Sequence, residues 1–210
     1  MKVIRTIALI FAALVISVFL YSFFLPSDYN IERKIRIIAD KQIVFKYISN
    51  LRLWQEWSTW TSKQDSTIKF SYKGPVVGIG SIQSWNSKRM GKGYIKITKS
   101  TEFSYMKYLL NMEDNISIGQ FHLKQNQSGT EIIWEIKGSV GWNPIAKIFS
   151  YFYMDSFMGP DLERALKNLK EIVESRKLEV GSRKLEAGSW KSVGFYKTRI
   201  DRIQGLRYNK

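Results

Sequence analysis

The hydrophobic positions of this chain begin with an unbroken apolar run. Residues 6–25 contain no charge, no Gly and no Pro. Twenty helical residues span about 30 Å, the thickness of a bilayer hydrocarbon core. The run therefore predicts one transmembrane helix within an N-terminal anchor and linker, residues 1–28.

A cleaved signal peptide is the alternative interpretation of this run. Such a peptide has a shorter apolar region and a small-x-small cleavage site. Here the run ends in aromatic residues and Pro26, which favours an uncleaved, single-pass anchor. Because Lys2 and Arg5 form a short basic N-terminus, we expect that end in the cytoplasm and the rest of the chain on the non-cytoplasmic side.

After the anchor, apolar and charged residues alternate. Ile31, Arg33, Ile35 and Ile37 share one face of residues 31–37, and Glu32, Lys34 and Arg36 occupy the other. A period near two predicts a strand. Asp40 then caps a predicted helix over residues 41–49, and a second short helix is predicted to end near Trp57.

Six further segments have strand-like composition and are separated by turn-forming residues. Adjacent strands without intervening helices imply an antiparallel meander. With the first strand, the sequence predicts a curved sheet of about seven strands. The six segments are TIKFSYK, SIQSW, GYIKITK, FSYMKYLL, ISIGQFHLK and TEIIWEIKG.

The last apolar pattern has helical spacing. Asn143 is a predicted N-cap, Pro144 occupies the first helical position, and Gly159 and Pro160 interrupt the run. The pattern predicts one kinked helix or two stacked helices packed on the sheet. Five residues form its apolar stripe: Leu162, Leu166, Leu169, Ile172 and Val173. The fold class is therefore α+β.

Charge and composition limit the chemistry. The net charge is +15, and residues 176–210 carry 10 basic and 3 acidic side chains. This segment, which includes the tandem SRKLEVG and SRKLEAG, is predicted to be a basic, disordered tail. The remaining charge is scattered along strands, so nucleic-acid binding is not favoured. With no Cys and one His, we expect no metal site and no cofactor.

Several segments resemble the START-like helix-grip superfamily, and more narrowly its SRPBCC members of the polyketide cyclase/dehydrase-like kind. The resemblance covers roughly residues 29–175 and implies a sheet gripping the long helix with an apolar cavity between them. The segments are SNLRLWQEWSTW, KGPVVGIGSIQSWNS, GKGYIKITKS, GTEIIWEIKG and MGPDLERALKNLKEIVES.

The segment WQEWSTW places three of the seven tryptophans at a spacing of three. They could form a membrane-interface belt, a core corner, or the roof of a ligand cavity. We adopt the cavity roof as a hypothesis and predict an apolar ligand site. Its predicted residues are Trp54, Trp57, Trp60, Trp85, Phe121, Trp134 and Phe152.

His122 is the one imidazole that could act as a base. If residues 116–137 form a tight hairpin, Phe121 lies opposite Trp134 and Leu123 opposite Ile132. Those apolar pairs would face the cavity, so His122 is predicted to point outward. No catalytic residue is therefore assigned.

The leading functional hypothesis is a membrane-anchored protein that binds a lipid, isoprenoid or aromatic metabolite in the cavity. A polyketide cyclase/dehydratase-like enzyme is the first alternative, and it requires an acid or base inside the cavity. A protein-interaction module is the second, and a cavity too small for a ligand would favour it. The sequence does not indicate an oligomeric state.

Overall fold

The computed structural model describes the backbone of residues 2–205 and the side chains of residues 2–176. The helices are α1 (Lys2–Ser22), α2 (Lys41–Ser49), α3 (Trp54–Trp57) and α4 (Pro144–Gly205), with a short 3-10 helix at Leu51–Leu53. The strands are β1 (Asp28–Ile37), β2 (Lys69–Lys73), β3 (Ile82–Ser87), β4 (Gly91–Thr101), β5 (Tyr105–Met112), β6 (Asn115–Asn126) and β7 (Gly129–Ser139).

The seven strands form one curved antiparallel sheet in the order β1-β7-β6-β5-β4-β3-β2. The meander predicted from the sequence is confirmed, with β1 added beside β7. The hairpin register is confirmed as well, because Phe121 pairs with Trp134 and Leu123 with Ile132. His122 is exposed on the outer face of β6, as predicted.

α2 spans the residues that the sequence predicts and α3 ends at Trp57 as predicted, although one capping detail differs. Asp40 precedes α2, but its side chain makes no capping hydrogen bond. The Gln125 side chain takes over part of that role, because its Oε1 accepts a hydrogen bond of 2.8 Å from the Lys41 N–H. The 3-10 helix is capped by Asn50, whose side chain accepts from the Arg52 N–H.

The long helix α4 packs against β1 and closes the open face of the sheet. Asn143 caps it as predicted, accepting hydrogen bonds from the N–H groups of Ile145 and Ala146. Of the two predicted arrangements, α4 is one helix with Pro160 inside it. The predicted stripe is buried at Leu162, Leu166, Leu169 and Val173 and half-buried at Ile172.

The structure describes the predicted N-terminal helix but only part of the predicted C-terminal tail. α1 is long and apolar enough to cross a membrane or to act as a signal sequence, and nearly all of its residues are exposed. The predicted tail, residues 176–210, overlaps the end of α4, which continues to Gly205, and its side chains beyond Arg176 lie outside the described residues. Its assignment as a separate tail stays a prediction.

Candidate functional site

The space between sheet and long helix is filled by aromatic side chains. We call Trp54, Trp57, Tyr108, Phe121 and Trp134 the aromatic cluster; each is at most 4% exposed. Ring centroids lie 5.0 Å apart for Trp54 and Trp57 and 4.9 Å apart for Phe121 and Trp134. Such edge and stacked contacts are typical of a packed core.

Hydrogen bonds fix two indoles of the aromatic cluster. Trp54 Nε1 donates to the Ile48 carbonyl at 2.9 Å, and Trp134 Nε1 donates to Tyr108 Oη at 2.8 Å. Burial raises the pKa of the Tyr108 hydroxyl above its ordinary value. This hydroxyl therefore stays neutral at physiological pH and serves as a fixed hydrogen-bonding group within the core.

Two spaces of very different size adjoin this core. The inner void holds about 10 Å³, which is room for about one water molecule. The larger space, the rim groove, has a volume of about 720 Å³ and opens to solvent where α4 passes the end of the sheet. The rim groove is lined by Thr59, Trp60, Thr61, Gln64, Asp65, Lys88, Arg89, Met90, Gly91, Met112, Glu113, Phe157, Met158, Asp161 and Arg164.

The segment after α3 forms one wall of the rim groove. α3 ends at Trp57, and the Ser58 N–H bonds to the Trp54 carbonyl at 2.8 Å. The Ser58 hydroxyl then accepts from the Trp60 N–H at 2.9 Å. This turn places Trp60 over the groove, while Trp54 and Trp57 enter the core.

A hydrogen-bond network around Asp65 joins this wall to the β3–β4 turn. The Asp65 carboxylate accepts from the Ser87 hydroxyl and from both the N–H and the hydroxyl of Thr67. Ser87 Oγ in turn accepts from the Met90 N–H at 2.9 Å. The hydrogen bonds from Ser87 and Thr67 lower the pKa of Asp65. The ionised carboxylate therefore positions Met90 at the groove.

The rim groove combines an apolar floor with a charged edge. Its apolar members are Trp60, Met90, Met112, Phe157 and Met158, and three of these are methionines, which adapt to irregular shapes. Charged side chains of both signs line the edge: basic Lys88, Arg89 and Arg164, and acidic Asp65, Glu113 and Asp161. This arrangement suits an amphipathic molecule, with its apolar part on the floor and a polar group at the edge.

Trp60 and Met90 separate the rim groove from the inner void, because both residues line both spaces. The far wall of the void includes Trp85, which is 6% exposed. Among the described residues, the buried Nε1 atoms of Trp85 and of Trp57 in the aromatic cluster have no hydrogen-bond partner. An indole N–H without a partner is costly, and a water molecule or a ligand acceptor in the void would satisfy that of Trp85.

The seven residues predicted as ligand-binding fall into different places. Trp54, Trp57, Phe121 and Trp134 meet in the aromatic cluster, while Trp60 lines both spaces and Trp85 lines the inner void. Phe152 is 57% exposed on α4 and does not line the groove.

The groove also contains residues that no sequence pattern marks as part of a site. Met90 and Met112 belong to turn and strand-end segments that have no distinctive pattern. Met158 lies directly before the Gly159–Pro160 interruption. Only the fold brings these three methionines to the same groove.

The chain matches no protein-family model and no curated protein. Among solved structures, protein SA2116 from Staphylococcus aureus is similar with a TM-score of 0.58 and 11% identity, over 73% of this chain and 98% of that one. Protein MLL2253 from Mesorhizobium loti gives 0.51 and 14%, over 70% and 98%. The Aha1 dimer from Colwellia psychrerythraea gives 0.50 and 17%, over 70% and 96%. At these identities the likeness shows a helix-grip fold.

Proposed function

We propose that this chain is a membrane-anchored START-like domain of the SRPBCC kind that binds a hydrophobic small molecule in the rim groove. The observation that carries the proposal is an apolar-floored groove of about 720 Å³ beside Trp60. Pockets for small molecules commonly have volumes of roughly 300–1,000 Å³. The ligand class is a lipid, an isoprenoid or an aromatic metabolite.

The proposed site differs from an enclosed cavity between sheet and helix. The aromatic cluster occupies that space, so the ligand lies at the rim and contacts the core through Trp60 and Met90. Rotation of these two side chains would join the groove to the inner void. Trp60 is therefore the proposed gate, and Trp85 would meet the part of the ligand that enters.

The proposed anchor is α1, which would keep the domain beside the bilayer. The basic residues Lys2 and Arg5 precede the apolar part of α1 and favour a cytoplasmic N-terminus. The domain would then lie on the non-cytoplasmic side. Tethering concentrates a binding domain beside the compartment in which hydrophobic molecules are dissolved.

The enzyme alternative depends on the carboxylates that line the rim groove. A cyclase or dehydratase needs an acid or base beside its substrate. His122 lies on the outer face of β6, and Asp65 is held by Ser87 and Thr67. Asp161 accepts a hydrogen bond of 2.9 Å from Arg164. Two of the three groove carboxylates, Asp65 and Asp161, therefore have structural partners, whereas Glu113 lines the groove as an exposed side chain.

The small inner void favours the second alternative, a protein-interaction module. An interior with room for one water cannot enclose a lipid or a metabolite, so the proposal places the ligand in the rim groove. A test must therefore ask whether the groove itself holds a molecule. Groove-filling substitutions separate the two functions, because a protein interface elsewhere would tolerate them.

Native mass spectrometry of the full-length protein, extracted from its own membranes, tests the proposal. Wild type is expected to carry a bound mass that the double variant Met112→Trp, Met158→Trp loses, since two indoles fill part of the groove. The control Tyr151→Trp changes an exposed position outside the groove and should keep the mass. An empty wild type, or equal occupancy in the double variant, would contradict ligand binding in this groove.

A further inference from the structure

The first four turns of α4 expose an apolar stripe on the side away from the sheet. We call Ile145, Phe149, Phe152, Tyr153 and Phe157 the α4 stripe. Their exposed fractions are 76%, 43%, 57%, 59% and 70%. The spacing of four, three, one and four residues keeps all five on one side of the helix. An exposed apolar surface of this extent marks an interaction site.

Contacts within the α4 stripe hold its rings in a shared arrangement. Phe149 stacks on Tyr153 with ring centroids 6.1 Å apart, and it meets Phe157 edge-on at 5.9 Å. Lys147 and Ser150, on another side of the same turns, are buried. The helix is therefore already fixed on the domain, and the stripe is left facing outward.

The start of α4 lies against the end of α1. Lys147 Nζ donates to the Phe23 carbonyl at 3.5 Å, and the Val140 N–H donates to the Ser27 carbonyl at 2.9 Å. Ser22 and Leu25 are buried by these contacts. The C-terminal end of α1 is thus packed on the domain at the first turn of α4, where the α4 stripe begins.

Exposed aromatic residues continue from one helix to the other. At the end of α1, Tyr21, Phe23 and Phe24 are exposed, and Trp142 at the start of α4 is 84% exposed. The ammonium group of Lys147 lies 5.2 Å from the Trp142 ring. Aromatic rings with a nearby cation are typical of the membrane–water interface.

We infer that the α4 stripe lies on the surface of the bilayer that α1 spans. This inference depends on the membrane anchor proposed above. A bilayer around α1 would reach Phe24, and the adjoining stripe would extend that contact by about 18 Å along α4. Its apolar face would enter the headgroup and acyl boundary, as interfacial helices do. The molecules that cover the stripe are therefore membrane lipids.

This placement also defines the source of the ligand. Phe157 belongs both to the α4 stripe and to the lining of the rim groove. A stripe seated on the bilayer would bring the mouth of the groove to the lipid surface. The ligand class narrows to a membrane lipid or a molecule dissolved among lipids, entering without crossing water.

A second exposed apolar patch provides a control position. Val76, Val77 and Ile79 lie in the loop between β2 and β3 and are 52–59% exposed. β2 is at the opposite edge of the sheet from β1, on which α4 packs. This loop is as apolar as the stripe, but it is remote from the end of α1. Its side chains should therefore stay in water.

The test places nitroxide labels on the full-length protein in phosphatidylcholine–phosphatidylglycerol vesicles. The chain has no native Cys, so each introduced thiol carries a unique label. Labels at Tyr153→Cys and Ile145→Cys probe the stripe, Ile79→Cys is the aqueous control, and Leu14→Cys probes α1. Collision rates with oxygen, which concentrates in lipid, are compared with those of a water-soluble nickel chelate.

Positions 153 and 145 are expected to favour oxygen several-fold over the chelate, whereas position 79 favours the chelate. A stripe that is as accessible to the chelate as position 79, while position 14 reports lipid, would overturn this inference and leave the anchor intact. If the stripe labels are shielded from both reagents, protein covers the stripe, and this result would also overturn the inference that lipid covers it. An aqueous signal at position 14 would overturn the proposed anchor itself.

Discussion

Arg33 on β1 donates two hydrogen bonds, of 2.8 and 2.9 Å, to the carboxylate of Asp155 on α4. Arg33 Nε also donates to Glu163 at 2.6 Å, two turns further along the helix. Gly159 lies between these carboxylates, and a Cβ there would come within 1.9 Å of Arg33 Nη2. The missing side chain lets the guanidinium sit against α4. This clamp fixes the rotation of the helix, and with it the positions of the rim groove and the α4 stripe.

Replacing Arg33 should lower the free energy of unfolding only modestly. The carboxylates of Asp155 and Glu163 are 65% and 53% exposed, so solvent screens both pairs. Arg33→Met is expected to lower the free energy of unfolding by about 1 kcal/mol, and the loss should shrink at high salt. Urea unfolding in mild detergent measures it. Arg164→Met removes an exposed pair within α4 and should cost less; an equal loss would argue against a special role for Arg33.

Gly119 is expected to tolerate no side chain, because a Cβ there would lie 1.9 Å from the Tyr108 ring. Tyr108 is enclosed by the aromatic cluster and cannot move away. Gly119→Ala should therefore destabilise the domain by about 1–3 kcal/mol through overpacking. His122→Ala changes an outward position on the same strand and should cost under about 0.5 kcal/mol. Equal melting temperatures for Gly119→Ala and wild type would show that the cluster is loosely packed.

The tryptophans at positions 57 and 60 should respond differently to truncation. Trp57 is fully buried, so Trp57→Ala is expected to cost about 3–5 kcal/mol of stability. Trp60 is only half-buried, so Trp60→Ala should cost less while weakening binding of an apolar ligand. Thermal melting and titration with a fluorescent fatty acid separate the two effects. If Trp60→Ala binds the fatty acid with the affinity of wild type, Trp60 is not the gate.

The Asp65 network predicts a sensitivity to acid. Because its pKa is lowered from 3.8 in the folded protein, the carboxylate contributes stability that is fully present above pH 3.8. That contribution is lost as the pH falls through the lower, folded value. The melting-temperature difference between wild type and Asp65→Asn should therefore be constant at neutral pH and narrow in acid. Thr67→Val, which removes one donor, should reduce the difference; a gap that widens in acid would refute the network.

The sequence predicts the framework well because its signals are periodic and local. Alternation marks the strands, and the apolar pairs of the β6–β7 hairpin set its register and the outward direction of His122. Asn143 and Pro144 mark the start of α4 for equally local reasons. The Gly159–Pro160 interruption leaves both one kinked helix and two stacked helices open. The contacts of Arg33 on either side of it join residues over 100 positions apart, which no local pattern shows.

The site was harder to predict because it depends on how side chains fill space. Spacing predicts that Trp54, Trp57 and Trp60 are neighbours, but it does not distinguish a cavity roof from a packed core. The volumes of Tyr108, Phe121 and Trp134 fill the predicted cavity and leave Trp60 at its edge. Met90 and Met158 join the groove through tertiary packing alone.

The central claim, that a membrane-derived hydrophobic ligand occupies the rim groove, is tested most directly by photo-crosslinking. A fatty acid with a diazirine in its chain would be activated on the full-length protein in vesicles, and the modified peptides identified by mass spectrometry. Adducts are expected at the groove residues Trp60, Met90, Met112 and Met158, in addition to lipid-facing positions of α1 and the α4 stripe. Excess unlabelled fatty acid should abolish the groove adducts. Adducts confined to α1 and the stripe would contradict the central claim.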